Sequence, residues 1–341
     1  MAEETNSSGR LNRLVHAPAT DLSALPSRDL AAELLVRLRR GDAVARSNGD
    51  LAGLLALLSM ELEVRTDTLA NRFSRMRARE LFHMGATFQA MGVLQVKGAT
   101  IVELGCGSQN PLAGLLIYLL AGARRAIGVD LDPVHDEVSA VRALARLATY
   151  ALALPECISE KVRLTREQVF AGFSGFDLMK LWQGDPAGID SERLVLKRES
   201  AEHLSLPDGE ADLTYSVSFL EHVANPTAVV QELARVTRLG GVGVHTIDGQ
   251  DHGIYSDRGV HALDFLRVPG GDALVRGCNR LRPTEFPAVF EAGGFEVLSF
   301  EPHQRIPVTE ELRQSFEQPF RSMPREALEV VSAGIRVRRR G

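Results

Sequence analysis

The stretch 99–132 restricts the fold of this chain more than any other part of it. ATIVEL (99–104) is a short, largely apolar run that ends at a glycine, PLAGLLIYLLAG has the composition of a helix, and RRAIGVDLD (124–132) is a second apolar run. A strand, a helix and a strand in this order form a βαβ unit, with parallel strands and a right-handed crossover. The sequence therefore predicts an α/β fold around a parallel sheet.

Composition and charge exclude several classes of protein. Of 341 residues, 45% are hydrophobic and 24% charged, and the net charge is −5, which suits a soluble globular protein better than a binder of polyanions. The basic clusters at 37–40, 72–79 and 336–340 are interpreted as solvated helix faces and a charged chain end. The chain shows no signal peptide and no apolar run near the ~20 residues that span a bilayer. We expect a cytoplasmic protein with no membrane partner.

Cysteine usage points to a reduced protein. Cys106, Cys157 and Cys278 are scattered and form no CxxC pair or zinc spacing. We therefore predict neither disulfides nor a metal site.

Changes of pattern along the chain predict its domains. Residues 1–95 place leucines at helical spacing and are interpreted as an N-terminal helical cap. Residues 96–341 are interpreted as one domain, with strand signals at 193–199, 211–218 and 242–248. Residues 155–192 interrupt the alternation and are interpreted as an inserted substrate lid. The alternative is a surface subdomain with its own small apolar cluster.

Two glycines follow the first predicted strand. Gly105 and Gly107 allow a sharp strand-to-helix turn at the carboxyl end of the sheet, where α/β proteins bind ligands. A dinucleotide fingerprint needs a third glycine where this chain has Asn110, so a nicotinamide cofactor is not expected.

Two segments resemble class I S-adenosylmethionine methyltransferases. Glu103-Leu-Gly105-Cys-Gly107 resembles motif I of that class, and ESAEHLSLPDGEADLTYSVSFLEHVANPTAVVQELARVTRLGG (199–241) resembles the middle of the type 11 methyltransferase domain. The resemblance implies a Rossmann-like, doubly wound, seven-stranded mixed sheet whose last strand is antiparallel. FEVLSF and GIRVRRR would supply the final strands. It also implies S-adenosylmethionine (SAM) as cofactor and S-adenosylhomocysteine as product.

The resemblance assigns a cofactor role to three further segments. Asp130 ends the second strand and would bind the ribose hydroxyls, whereas Asp132 is expected to cap a helix opening at Pro133. The complete cofactor-binding set is Glu103, Gly105, Cys106 and Gly107 in the turn, Asp130 and Leu131 at the ribose, Ser200, Ala201 and Glu202 at adenine, and Ser216 and Val217 under the methyl donor. Ser200 stands where the family has an acid.

Candidates for the chemistry follow the fourth and fifth sheet strands. His222 lies in LEHV, and it either takes part in catalysis or organises the pocket. HTIDGQDH (245–252) holds two histidines and two acids, and strand alternation puts His245 on one face and Asp248 on the other. His252 is the predicted general base, with Asp248 or Asp251 fixing its tautomer. A purely structural loop and a hard-cation site are the alternatives.

Four residues are predicted to contact the methyl acceptor. Arg280 and Arg282, in CNRLRPTEF, would bind an acidic group unless they form salt bridges with Glu285 or the loop aspartates. Tyr255 and Trp182 would pack on the acceptor, unless they serve the core.

These features together predict a SAM-dependent methyltransferase, most plausibly an O-methyltransferase of a small molecule such as a sugar or secondary metabolite. N-methylation, C-methylation and an RNA methyltransferase are the alternatives within the fold. An alternative of another class is a non-catalytic protein that binds a partner through its helical cap. The N-terminal helices could also form a homodimer.

Overall fold

The computed structural model describes residues 96–108, 111–153, 166–257, 259–269 and 274–341. The predicted helical cap (1–95), with its proposed dimer contact, lies outside these residues, as does 155–165 of the predicted insertion. The described residues fall into two compact units. One contains most of the sheet, and the other contains the helices between residues 108 and 194.

A seven-stranded mixed sheet forms the first of these units. Its strands are β1 (Thr100–Leu104), β2 (Arg125–Asp130), β3 (Leu194–Arg198), β4 (Ala211–Val217), β5 (Thr237–Asp248), β6 (Phe295–Arg305) and β7 (Val330–Arg339), in the order β3-β2-β1-β4-β5-β7-β6. β1 pairs in parallel with β2 and β4, and β4 with β5, whereas β7 is antiparallel to both β5 and β6. The predicted Rossmann-like sheet with an antiparallel last strand is confirmed.

The register brings the carboxyl ends of the central strands to one edge. Leu104 lies beside Val129 of β2 and Ser216 of β4, and Ser216 lies beside His245 of β5. All five residues of β1 are buried, as expected for a central parallel strand. The loops that carry the predicted site residues therefore begin next to one another.

The helices are α1 (Pro111–Leu120), α2 (Glu137–Ala153), α3 (Arg166–Gly172), α4 (Leu178–Gln183), α5 (Pro226–Val236), α6 (Phe286–Ala292), α7 (Glu310–Gln314) and α8 (Arg325–Glu329). α5 starts at Pro226, after Asn225, whose side chain accepts from the Ala228 N–H. Residues of α5 and α6, among them Leu233 and Phe290, pack with β1, β2 and β7 in one apolar core.

In the helical unit, all ten residues of α1 are buried.

The start of α2 differs from the sequence prediction. α2 begins at Glu137, and the side chain of Asp136 accepts from the Ser139 N–H at 3.0 Å. The prediction that Asp132 caps a helix opening at Pro133 is therefore wrong, because the chain turns once more before the helix starts.

A second apolar core lies beside the start of β7. It joins Leu263, Phe265 and Cys278 from the segment after β5 to Phe316 and Leu328 near the chain end. This core holds the 249–285 segment beside the sheet, which the periodicity of the sequence does not indicate. Across the described ranges, we find no helix with the length and apolar character needed to cross a membrane.

Candidate functional site

A cavity of about 530 Å³ opens at the carboxyl ends of β1, β2 and β4. Its walls come from the glycine turn, the end of β2, the turn at 199–202 and the segment after β4. The lining residues are Gly105, Val129, Asp130, Leu131, Asp132, Glu199, Ser200, Ala201, Glu202, Ser218, Phe219, His222, Val223, Ala224, Val229 and Leu274. Six of the predicted cofactor residues and His222 thus line one cavity.

Both glycines of the turn adopt the left-handed backbone conformation. Gly105 has φ +63° and Gly107 φ +81°, values that glycine adopts without steric cost. A Cβ on Gly105 would come within 2.4 Å of the Phe219 ring atom Cδ2, and such a contact is too close for real atoms. The turn is therefore bare because Phe219 packs directly on it.

The carboxylate of Asp130 is held in place by two backbone donors. Oδ2 accepts from the Gly107 N–H at 2.7 Å, and Oδ1 accepts from the Asp132 N–H at 3.0 Å. Each carboxylate oxygen has more than one acceptor site, so both can accept a further hydrogen bond. Asp130 faces the cavity with a fixed orientation.

The turn predicted to hold adenine lies on the same cavity. Ser200, Ala201 and Glu202 all line it, and the Ser200 hydroxyl accepts from the Glu202 N–H at 3.2 Å. Leu131, also in the lining, is 64% exposed and offers an apolar surface to a ligand.

Five other predicted cofactor residues are not in the lining. Glu103, Cys106 and Ser216 are buried, and Gly107 and Val217 are partly buried. Ser218 and Phe219, which follow β4 directly, line the cavity in place of Ser216 and Val217. Ser218 has φ +46°, an uncommon value for a non-glycine residue, so the chain turns sharply as it leaves the strand.

His222, His252 and Tyr255 form a row of rings that starts at the cavity wall. The His222 and His252 centroids are 4.7 Å apart, and those of His252 and Tyr255 are 5.3 Å apart, both edge to face. His222 Nδ1 lies 2.8 Å from the Gly277 carbonyl oxygen, which orients that ring. The predicted histidines after β4 and β5 are therefore neighbours.

Asp248 lies next to two members of this row of rings, Tyr255 and His252. Its Oδ2 accepts from the Tyr255 hydroxyl at 2.7 Å and lies 3.7 Å from His252 Nε2. Burial, and then the neighbouring His222, lower the pKa of His252, whereas Asp248 and Asp251 act in the opposite direction. Burial and the bond to Asp248 raise the pKa of Tyr255, so its phenol remains protonated and a donor.

Glu221 lies beneath Asp248. Its side chain is buried, and its Oε1 accepts from the Asp248 N–H at 3.3 Å. Burial raises the pKa of Glu221 to about 8, with a further contribution from the Asp248 charge. Glu221 therefore carries a proton at neutral pH. The sequence analysis considered only the histidine of LEHV. It therefore missed Glu221, a buried acid that lies next to the predicted site acid Asp248.

His245 lies in the core. It is fully buried, its Nδ1 lies 2.8 Å from the Ser216 hydroxyl, and its ring stacks on Phe290 at 5.0 Å. Burial lowers the pKa of His245 to about 3, so it stays neutral. Asp248, three positions on, is only partly buried and faces the row of rings, as strand alternation predicts.

The two predicted acceptor-binding arginines bind backbone carbonyls. Arg282 is fully buried and donates to the carbonyls of Gly249 and Val330, at 2.6 and 3.0 Å. Arg280 is 4% exposed, donates to the Val268 carbonyl and lies over the Phe320 ring at 5.5 Å. Both therefore hold the 249–285 segment in place and turn no open guanidinium toward the cavity.

Asn279 and Arg276 hold neighbouring segments of the site together, and the sequence analysis did not identify them. The Asn279 amide donates to the carbonyls of Leu220 and Val223, at 2.7 and 2.9 Å. Arg276 pairs with the buried Asp251, which gives this acid a structural partner. Trp182 lies in α4 of the helical unit, where it is 54% exposed, and its acceptor role stays a prediction.

Comparison with known proteins agrees with the motifs. Residues 183–244 match the family model of the type 11 methyltransferase domain. The match confirms the resemblance on which the sequence analysis relied, and the family implies SAM as the cofactor. No curated protein matches the chain.

Several solved structures are similar. The S-adenosylmethionine-dependent methyltransferase from Mesorhizobium loti is 16% identical, with 74% of this chain and 96% of that chain covered and a TM-score of 0.37. A SAM-dependent methyltransferase from Methanosarcina mazei is 17% identical, with 74% and 96% covered and a TM-score of 0.39. The cyclase SpnF is 16% identical, with 72% and 75% covered and a TM-score of 0.40. Identities at this level carry no substrate or mechanism to this chain.

Proposed function

We propose that this chain binds SAM in the cavity at the carboxyl ends of β1, β2 and β4 and methylates a hydroxyl of a small molecule, such as a sugar or secondary metabolite, in the cytoplasm. One observation carries the proposal. The cavity that Asp130 and the glycine turn line is also lined by His222, beside which lie His252 and Asp248.

The residues of the cavity fit the cofactor. Its volume of about 530 Å³ falls within the range of roughly 300–1,000 Å³ that small-molecule sites occupy. Asp130 would accept from the ribose hydroxyls with the lone pairs that Gly107 and Asp132 leave available. The backbone and side chains at 200–202 would hold adenine, and the cavity wall that Gly105 and Phe219 form would lie against the amino acid end.

Methyl transfer to a hydroxyl requires an acceptor aligned with the methyl group and one side chain that accepts the hydroxyl proton. When bound, SAM supplies a methyl group made electrophilic by its positive sulfur. Cavity walls that hold the acceptor in line provide proximity, which is the main catalytic term in such a displacement. His252 would take the proton of the acceptor hydroxyl, and Asp248 would stabilise the resulting imidazolium. Tyr255 donates to Asp248 and so fixes that carboxylate.

Calorimetry of the full chain tests the cofactor first. SAM, S-adenosylhomocysteine and NADH are titrated into wild type, Asp130→Ala and the matched control Asp132→Ala. We expect micromolar binding of both adenosyl ligands and none of NADH. The affinity should fall at least tenfold, about 1.4 kcal/mol, in Asp130→Ala and less in Asp132→Ala. Folded wild type that binds no adenosyl ligand would favour the partner-binding alternative.

Product analysis then tests the reaction. S-adenosylhomocysteine formation is followed with panels of acceptors that offer a hydroxyl, an amine or an activated carbon. Turnover with hydroxyl acceptors alone, lost in His252→Ala without loss of SAM binding, supports the proposed base. Turnover confined to amines or carbon acceptors would overturn O-methylation but not the cofactor assignment.

A further inference from the structure

Three side chains that commonly bind transition metals meet beside the cavity. His222, His252 and Cys278 each place one ligand atom within 4.8 Å of the others. They come from three separate segments, namely the turn after β4, the turn after β5 and a tight hairpin at 275–278. The three residues are therefore brought together by the fold and not by their spacing in sequence.

The hairpin that carries Cys278 has a strained backbone. Val275 and Cys278 exchange two backbone hydrogen bonds, at 2.8 and 3.0 Å, around Arg276 and Gly277. Arg276 has φ +50° and Gly277 φ +80°. Positive φ at both central positions is the type I′ turn, which a non-glycine residue adopts at some cost. The pair between Arg276 and buried Asp251 holds this turn in place.

Each ligand is prepared for a metal. His222 Nδ1 bonds the Gly277 carbonyl, and metal-binding histidines characteristically use their second ring nitrogen in this way. His252 Nε2 is inaccessible to solvent and makes no hydrogen bond. The Cys278 sulfur is buried and lies 3.8 Å from the Gln250 carbonyl oxygen and 4.0 Å from that of Arg276, and the His252 backbone N–H donates to it.

The surroundings of the three ligands are acidic. Asp248 Oδ2 lies 3.7 Å from His252 Nε2, and Glu221 and Asp251 are buried nearby. The carboxylate of Asp248 would stabilise a divalent cation at this place, and two imidazoles with one thiolate suit zinc.

We propose that His222, His252 and Cys278 bind Zn²⁺. Binding forms two Zn–N bonds and one Zn–S bond, the thiol proton of Cys278 leaves to solvent, and a water molecule fills the fourth position. Tetrahedral bonds of about 2.0–2.3 Å space the ligand atoms about 3.3–3.6 Å apart. The cluster must therefore close by about 1 Å, and His222, an exposed side chain, can move to do so.

This site would regulate the proposed reaction. If His252 is the general base, zinc and the acceptor proton compete for its lone pair, so metal binding inhibits methyl transfer. This consequence rests on the proposed function, whereas the metal site itself does not.

A cobalt titration of the full-length protein tests the site without any substrate. Co²⁺ bound by Cys278 gives a thiolate-to-cobalt charge-transfer band, and Zn²⁺ should displace it. We expect the band in wild type and in Cys106→Ser, a matched change at another buried cysteine. It should vanish in Cys278→Ser, and Zn²⁺ affinity, measured against a chromophoric chelator, should fall at least tenfold in Cys278→Ser and in His222→Gln.

The outcomes separate the metal site from the enzyme. No band in wild type, or equal zinc affinity in wild type and His222→Gln, overturns the site. The exposed His222 keeps the test decisive even if Cys278→Ser does not fold. With the acceptor identified, half-inhibition should need at least tenfold more Zn²⁺ in Cys278→Ser. A protein that binds zinc but transfers no methyl group would retain the metal site and refute the proposed function.

Discussion

Gly105→Ala should destabilise the fold because the added Cβ would collide with the Phe219 ring. The substitution brings Cβ to 2.4 Å from Phe219 Cδ2 at a backbone φ of +63°. The left-handed conformation costs a non-glycine residue about 1–2 kcal/mol, and overpacking typically adds about 1–3 kcal/mol. We expect the free energy of unfolding to fall by about 2–5 kcal/mol in denaturant titrations. Because Phe219 lines the cavity, its displacement should also weaken SAM binding at least tenfold.

Gly98→Ala is the matched control for backbone strain. Gly98 has φ +79°, and an added Cβ would meet no atom within 4 Å. This variant should lose only about 1–2 kcal/mol and keep SAM affinity within about twofold. Gly105→Ala in a Phe219→Ala background should lose the steric part of the cost, which a double-mutant cycle measures. Equal losses in the two glycine variants would refute the steric argument.

Three further predictions follow from the same structure. His252→Ala should lower turnover by about 10²–10⁴-fold while SAM affinity stays within a few-fold, and a parallel loss of SAM affinity would make the residue structural. Because His245 is neutral in the fold, with a pKa lowered to about 3, its contribution to stability is complete above pH ~6.5 and declines as the pH falls. From pH 8 to pH 5, unfolding titrations should show a loss of about 2 kcal/mol that His245→Asn lacks, and identical pH slopes would contradict this. Arg282→Met should cost about 2–5 kcal/mol, since two buried carbonyls lose their donor, and denaturant unfolding measures it.

The cofactor side of the site could be predicted because its signals are local. Gly105 and Gly107 are needed for the left-handed backbone conformation of the turn. Asp130 is the last residue of β2, a position that the βαβ unit determines. The seven-stranded mixed sheet and its antiparallel final strand came from the family resemblance and match the structure. Ser216 and Val217 were assigned from the strand end, whereas the residues that line the cavity lie one step further, where Ser218 turns the chain.

The 249–285 segment could not be predicted, because long-range contacts determine its structure. Arg282 resembles a substrate arginine in sequence, but it binds carbonyls from Gly249 and Val330, which only the folded sheet brings together. Cys278 has no partner nearby in sequence, and it meets His222 and His252 through a hairpin and two separate turns. The spacing of residues in the sequence alone therefore does not indicate the metal site that we propose.

The two histidines of HTIDGQDH have different surroundings because one lies within β5 and the other lies beyond its end. His245 lies inside β5, so alternation turns it into the core, where Ser216 and Phe290 surround it and burial lowers its pKa to about 3. His252 lies beyond the strand end, on a turn whose first residue, Asp251, accepts from the Gly253 N–H at 2.8 Å. That turn brings its ring beside His222 and Asp248, where the lone pair can take a proton or a metal ion. The same residue type seven positions apart thus lies in the core in one case and beside the cavity-lining His222 in the other.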